Sequence, residues 1–262
     1  MRRTETTVTL WLSRSFFNVL RQVSFGAAVF AALSLAFSRT AAAASLDINP
    51  VRVVISQPTD PVELHVTNTG SDDLSIQVDP RIWTQREDGT DELNYTDLLL
   101  AVPPLFTVTP GEQQIVRIGY LGAPSEDFEM SFRLLLTELA PPVAERDRSA
   151  LNMRMQLSIP VFVAPLSGVA APQIVLDSIE PATDGASLTL RNTGNAHAKV
   201  LGVDLLGRGG WSQPSELARM AQYLLPDSRA DVQVPGDAAS IRAIRVISAD
   251  GRDWEHAVPP AR

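Results

Sequence analysis

Apolar and polar residues alternate along most of the chain after residue 45. A period of two is typical of β-strands, and turn-forming residues break the alternation at short intervals. The pattern predicts about seven strands between residues 46 and 163. It predicts a second set at 173–180, 186–193, 198–206, 220–225, 230–234, 241–248 and 252–258. No segment carries a sustained helical period, so the sequence predicts an all-β protein.

The number and spacing of the strands predict two immunoglobulin-like β-sandwich domains. The first covers residues 45–165 and the second covers residues 173–262. Residues 166–172 lie between them and are rich in small residues and proline, which favours a short hinge.

The last strand of the first domain is unusual. This strand is predicted at residues 151–163, and alternate residues up to position 159 are apolar, namely Leu151, Met153, Met155, Leu157 and Ile159. Pro160 follows within the same strand, and proline is found mainly on edge strands because it has no N–H to donate. A long apolar edge strand promotes aggregation unless something covers it. The pattern alone leaves two interpretations open: a core strand of its own sandwich, or a surface that binds a partner.

Residues 1–44 resemble a signal peptide, with arginines followed by an apolar stretch at 23–37 and small residues at 42–44. An uncleaved membrane anchor is the alternative, although the apolar stretch is short for a membrane span. This segment has five Arg and one Glu, so its removal changes the net charge from −8 to −12. Such an acidic protein is not expected to bind nucleic acid.

The sequence offers no enzyme chemistry. It contains no cysteine and no motif with the spacing of a nucleophile, a phosphate-binding loop or a metal site. We therefore expect no catalytic residues, no metal ligands and no cofactor. Trp83, Trp211 and Trp254 are candidates for a sugar site, but a core or a domain interface is the favoured place for them.

Four segments together resemble the periplasmic pilus chaperones of the chaperone–usher pathway. They are LDINPVRVVIS (46–56), TPGEQQIVRIGYL (109–121), FEMSFRLLLTELAPP (128–142) and LNMRMQLSIPVFVAP (151–165). The resemblance spans 45–165 and is weaker in the second domain, where it rests on RNTGNAHAKV (191–200). It is nearer the branch of the family whose seventh strand ends in Ile-Pro-Val-Phe.

The resemblance implies a function for the unusual strand. Chaperones of this family lend their seventh strand to pilin-like subunits, which lack a strand, and deliver them to an outer-membrane usher. This is a form of β-strand addition. Leu151, Met153, Met155, Leu157 and Ile159 would then fill the groove of the subunit, and no cofactor is needed. An exposed edge also leaves open a self-capping dimer when no subunit is bound.

The family also implies a basic site for the C-terminal carboxylate of the subunit. Arg52 matches its first-strand arginine, whereas its lysine position is occupied here by Pro160. Arg133 or Arg154 is predicted to replace that lysine. The usual salt bridge between the domains is not expected either. Glu129 and Asp250 match its acidic positions, but Ala164 occupies the position of its arginine.

A different class of function remains as the alternative. The protein would then be an extracellular structural or adhesive β-sandwich protein that self-associates or binds glycans through Trp83 or Trp211.

Overall fold

The computed structural model describes residues 46–56, 60–139, 154–166, 169–183, 185–207, 210–211, 222–235 and 237–258. Residues Ala44–Arg262 form one compact unit. The predicted signal peptide, Leu151 and Met153 lie outside the described residues. Within the described ranges, no helix is long and apolar enough to cross a membrane.

The described residues of the N-terminal sandwich form ten strands. They are β1 (Leu46–Asn49), β2 (Val53–Ile55), β3 (Val62–Asn68), β4 (Leu74–Gln85), β5 (Asp91–Tyr95), β6 (Leu99–Val102), β7 (Leu105–Val108), β8 (Gln113–Tyr120), β9 (Met130–Glu138) and β10 (Gln156–Val163). Sheet I has the order β1-β3-β8-β6. Sheet II has the order β2-β10-β9-β4-β5, and β7 also pairs with β4. The chain therefore changes sheets between β1 and β2.

Alternation along the strands builds the first core. In sheet II, the even-numbered residues of β9 and the odd-numbered residues of β10 point inward, as Phe132, Leu134 and Val161 show. They pack against apolar residues of sheet I such as Leu64 and Ile118, all of which are fully buried. Alternate residues of a strand point to opposite faces. The other residues of β9 and β10 therefore form an outer face of sheet II.

In the part of the C-terminal sandwich that the structure describes, there are eight strands. They are β11 (Ile174–Ala182), β12 (Gly185–Asn192), β13 (Ala198–Gly207), β14 (Gly210–Trp211), β15 (Gln222–Leu224), β16 (Arg229–Val234), β17 (Ala243–Ser248) and β18 (Trp254–Ala257). One sheet has the order β11-β12-β16 and the other the order β14-β13-β17-β18, with β15 beside β13. A separate apolar core fills the space between the two sheets.

The structure confirms the predicted fold class of two β-sandwiches. The strand numbers differ from the sequence prediction, because the described residues form ten strands between 46 and 163 instead of about seven, and eight instead of seven in the second sandwich. Strand β6 (Leu99–Val102) was missed because it is short and follows a polar hairpin. The described part of the last strand of the N-terminal sandwich begins at Gln156 rather than Leu151.

Each sandwich contains a buried asparagine in an Asn-Thr-Gly turn. The side-chain amide of Asn68 donates to the carbonyl oxygens of Asp72 (2.7 Å) and Val108 (2.8 Å), and its Oδ1 accepts from the N–H of Gly70 (2.9 Å). Asn192 makes the same three types of bond, to Ala196, Leu224 and Gly194. Each asparagine is fully buried and joins a strand end to two other chain segments.

We predict that Asn68→Ala lowers the free energy of unfolding by about 2–5 kcal/mol, because it leaves several buried backbone groups without a partner. Asn192→Ala should have a similar effect on the C-terminal sandwich. Urea unfolding followed by circular dichroism would measure both. Gln113→Ala, which removes an exposed amide, is the control and should cost less than about 0.5 kcal/mol. Equal effects of all three variants would contradict this role.

Candidate functional site

Strand β10 is hydrogen-bonded along its whole length on one side only. It pairs antiparallel with β9 from Gln156 to Val163, whereas β2 covers only Val161–Val163 on the other side. Among the described strands, none lies beside Gln156–Pro160 on that second side. This segment is therefore an open sheet edge.

The direction of the free backbone groups follows from one hydrogen bond. The N–H of Glu138 donates to the carbonyl oxygen of Met155 at 2.9 Å. In an antiparallel ladder, directly opposed residues alternate between hydrogen-bonded and non-hydrogen-bonded pairs. The backbone groups of Leu157 and Ile159 therefore face β9, and those of Gln156 and Ser158 face the open edge. Pro160 also falls at an outward position, where its missing N–H breaks no bond to β9.

The apolar residues of this strand change from core to surface along its length. Ile159 is 7% exposed and belongs to the core of the N-terminal sandwich. Leu157 packs partly against the same core, and Met155 is half-buried. Because Ile159 is already covered by its own sheet I, we restrict the groove-filling hypothesis to the residues before it.

A row of arginines crosses the outer face of sheet II. Arg133 lies opposite Pro160 on one side and opposite Arg81 on the other. Val53 pairs with Val161 in a parallel ladder, so Arg52, which directly precedes β2, falls next to the position of Pro160. The order across the sheet is thus Arg52, Pro160, Arg133 and Arg81, which we call the arginine row. The sequence suggested Arg133 as a replacement for the family's lysine, whose position is occupied here by Pro160. The register places positions 133 and 160 side by side.

The members of the row differ in their surroundings. The guanidinium carbon of Arg133 lies 3.7 Å from the centre of the Trp83 ring and 5.3 Å from that of Tyr223. Burial lowers the pKa of Arg133 below its usual value. Arg81 is engaged by Asp79, with its Nε 3.0 Å from Oδ2. Arg52 and Arg154 are exposed, and Arg154 lies just before β10.

An aromatic cluster beside the row joins the two sandwiches. Trp83 and Phe162 from sheet II pack with Leu225 and Tyr223 from the C-terminal sandwich. Trp83 is 2% exposed, and its ring centre lies 5.4 Å from that of Tyr223 in an edge-on arrangement. The expectation that Trp83 lies in a core or an interface is confirmed. Trp254 instead packs against the core of the C-terminal sandwich, and the side chain of Trp211 is outside the described residues.

Polar contacts surround this cluster. Nδ1 of His197 lies 2.6 Å from Oε1 of Glu129, and the side-chain amide of Gln85 donates to the carbonyl oxygen of Tyr223 at 2.8 Å. Glu129 thus pairs across the sandwiches with a histidine, a partner that the sequence did not suggest. Asp250 contacts Ser248 and Arg252 within its own sandwich. Within the described residues, no group of three or more acidic or histidine side chains could hold a metal ion.

Comparison with known proteins finds sequences that are similar to this chain. Residues 45–168 match the family model of the pili and flagellar-assembly chaperone, PapD N-terminal domain. A probable fimbrial chaperone protein of Escherichia coli, ElfD, is 26% identical over 141 residues, which cover 53% of this chain and 57% of that protein. The match therefore spans little more than half the length of this relative.

Solved structures share the fold over most of the chain. A complex of the chaperone CsuC with the tip subunit CsuE, from archaic chaperone–usher pili of Acinetobacter baumannii, aligns with a TM-score of 0.61 at 20% identity. That alignment covers 84% of this chain and 100% of the other chain. The SafA pilin in complex with the SafB chaperone from Salmonella enterica gives a TM-score of 0.57 at 18% identity, covering 82% and 97%. The solved structures support the two-sandwich fold, and the family model matches the N-terminal sandwich.

We predict that Trp83→Ala destabilises the protein by about 3–5 kcal/mol, since it empties the centre of the cluster between the sandwiches. Thermal or urea unfolding would measure this loss. Tyr95→Ala removes an aromatic ring that is 71% exposed on the same sheet and should change stability by less than about 0.5 kcal/mol. If Trp83→Ala were as mild as Tyr95→Ala, the ring would not be part of a packed contact.

Proposed function

We propose that this protein, which carries the N-terminal domain of pilus assembly chaperones in residues 45–168, is a periplasmic chaperone. It binds pilin-like subunits by strand addition to β10 and delivers them to an outer-membrane usher. The open edge at Gln156–Pro160 carries this proposal, because none of the described strands pairs with its outward backbone groups, which lie next to an apolar strand face. It acts by binding and needs no cofactor.

Strand addition uses two kinds of contact. Backbone hydrogen bonds at the positions of Gln156 and Ser158 provide affinity that depends little on the subunit sequence. Apolar side chains at Leu151, Met153, Met155 and Leu157 fill the groove of the subunit, whereas Ile159 anchors the strand in its own core. Each buried side chain contributes roughly 1.5–3 kcal/mol before the entropy cost of association. Methionine suits such a surface because it adapts to differently shaped partners.

Arg133 and Arg52 of the arginine row form the proposed site for the C-terminal carboxylate of the subunit, whereas Arg81 is engaged by Asp79. Arg133 takes over from the lysine of the family, since it lies directly opposite Pro160. Opposed residues in a non-hydrogen-bonded pair bring their side chains especially close. The rings of Trp83 and Tyr223 hold the guanidinium in place, and a planar guanidinium matches a carboxylate well. Arg52 is the second cation, and Arg154 is a third candidate nearer the open edge.

The remaining parts of the proposal follow the sequence. Residues 1–44 act as a cleaved signal peptide that exports the chain, and residues 166–172 are the hinge between domains 45–165 and 173–262. The Ile-Pro-Val-Phe ending supports the branch of the family that shares it. In the absence of a subunit, two copies cap each other through the same edge. An adhesive role has less support, because a glycan site on Trp83 would need an exposed ring.

The strand-addition proposal predicts that Met155→Asp abolishes capture of subunits, because a charge cannot enter an apolar groove without a partner. Leu157→Asp should do the same, although part of its side chain packs on the chaperone's own core. Tagged mature protein would be used to recover partners from its native periplasm, and mass spectrometry would identify small secreted β-rich proteins.

Gln156→Asp and Ser158→Asp are matched controls, since they place the same charge on the exposed face of the same strand. They should retain capture, and circular dichroism should show that all four variants are folded. Capture that survives both Met155→Asp and Leu157→Asp would refute strand addition through this face.

The carboxylate site predicts a second result. Arg133→Ala should weaken binding of the captured subunit about 10–100-fold, the effect of losing a hydrogen bond to a charged group. Arg81→Ala is the control from the same row, and it should change binding little because Asp79 already engages Arg81. Isothermal titration would compare the two variants. A subunit whose C-terminus is amidated should bind wild type and Arg133→Ala equally, and a persistent difference would place Arg133 elsewhere in the interface.

A further inference from the structure

One histidine connects the two sandwiches in three ways. His197 lies just before β13, and its main-chain N–H donates to Oε1 of Glu129 at 3.0 Å. Its Nδ1 lies 2.6 Å from the same oxygen, and its ring stacks on Phe162 with centres 3.5 Å apart and planes 6° from parallel. The side chains of His197 and Glu129 are only 12% and 6% exposed.

Further polar contacts lie at the same end of sheet II. The main-chain N–H of Glu129 donates to the carbonyl oxygen of Asn195 at 2.9 Å. The side-chain amide of Asn195 donates to the main-chain carbonyl oxygen of Asp127 at 2.9 Å. The Gln85 side chain both donates to Tyr223 and accepts from the N–H of Leu225. Three neighbouring strands of sheet II therefore contact the C-terminal sandwich. Gln85 belongs to β4, Phe162 belongs to β10, and Glu129 directly precedes β9.

Directional bonds of this kind select one orientation of the sandwiches. Apolar surfaces can slide over one another at little cost, but hydrogen bonds weaken steeply when their angle changes. A rotation of the C-terminal sandwich would also separate the buried carboxylate of Glu129 from both of its donors, and an unpaired buried charge is strongly destabilising.

The contact reaches the candidate binding edge through a single strand. Phe162 is two residues from Pro160, at the end of the open edge and beside the arginine row. It is also fully buried between Trp83 and His197. The position of the C-terminal sandwich is thus transmitted directly to β10.

We propose that Glu129 and His197, together with the stack on Phe162, form a positioning element. It fixes the C-terminal sandwich relative to β10 and so holds the open edge and the arginine row in one geometry for an incoming subunit. The second part of this proposal rests on the proposed function, whereas the first part does not.

Pulsed electron paramagnetic resonance tests the first part directly. The chain has no cysteine, so Asp73→Cys and Glu180→Cys place one spin label on each sandwich at exposed positions. The distance distribution should be narrow in the otherwise unchanged protein. It should become roughly twofold broader or shift in His197→Ala and in Glu129→Leu, because the sandwiches then sample several orientations.

Three more variants separate positioning from general damage. Glu129→Gln keeps an oxygen that accepts from His197 and should restore the narrow distribution. Phe162→Leu removes the stacked ring without leaving a buried charge, and it should broaden the distribution even if Glu129→Leu fails to fold. Glu255→Gln weakens the exposed pair with Arg245 and should change nothing. Unchanged distributions in His197→Ala and Phe162→Leu would overturn the positioning role.

Binding of the subunit recovered in the Met155-dependent capture tests the second part. His197→Ala should weaken that binding by about tenfold, and Glu129→Gln should not. A broadened distribution with unchanged binding would overturn the link to the edge. If wild type captures no subunit, the proposed function fails, while the distance distributions still decide whether the pair positions the sandwiches.

Discussion

One-sided hydrogen bonding of β10 is the constraint on which the rest of the structure depends. Strand β9 satisfies one row of its backbone groups, but β2 reaches only the last part of the other row. Unpaired backbone groups beside apolar side chains bind further strands readily. The protein keeps this edge open in a strand whose far end is firmly buried by Ile159, Val161 and Val163. A fixed end and an open end on one strand suit transient binding of another chain.

The neighbouring features reinforce this arrangement. Pro160 removes one donor from the open row, and Arg133 lies opposite it on β9. The aromatic rings that support Arg133 also form the contact between the sandwiches. Arg133, the open edge and the contact between the sandwiches therefore lie close together on sheet II. A change in one of these three features is expected to alter the other two, because they are adjacent on the same strands.

The sequence predicted those features that depend on local pattern. Alternation located β12 and β13 within a residue, and it identified which side chains of β10 share a face. Alternation cannot tell whether that face covers its own core or a partner, since the answer depends on what lies across from it. Ile159 is the clear example, because only the packing of sheet I shows that it is already covered.

Contacts between distant segments could not be predicted in the same way. Glu129 and His197 are 68 positions apart, and nothing local distinguishes this histidine from the other two. Arg133 was a candidate for the carboxylate site, but its place opposite Pro160 follows from the register of β9 and β10. The proposed carboxylate site follows from the resemblance to a chaperone family, whereas the position of Arg133 follows from strand pairing between distant segments.

Hydrogen–deuterium exchange of single amides in β10 tests the central claim most directly. The amides would be compared by nuclear magnetic resonance in the free protein and in its complex with the captured subunit. The account predicts that the N–H groups of Gln156 and Ser158 become protected in the complex. Those of Leu157 and Ile159 should change little, because they already face β9. Unchanged exchange at Gln156 and Ser158 would contradict subunit binding at the open edge.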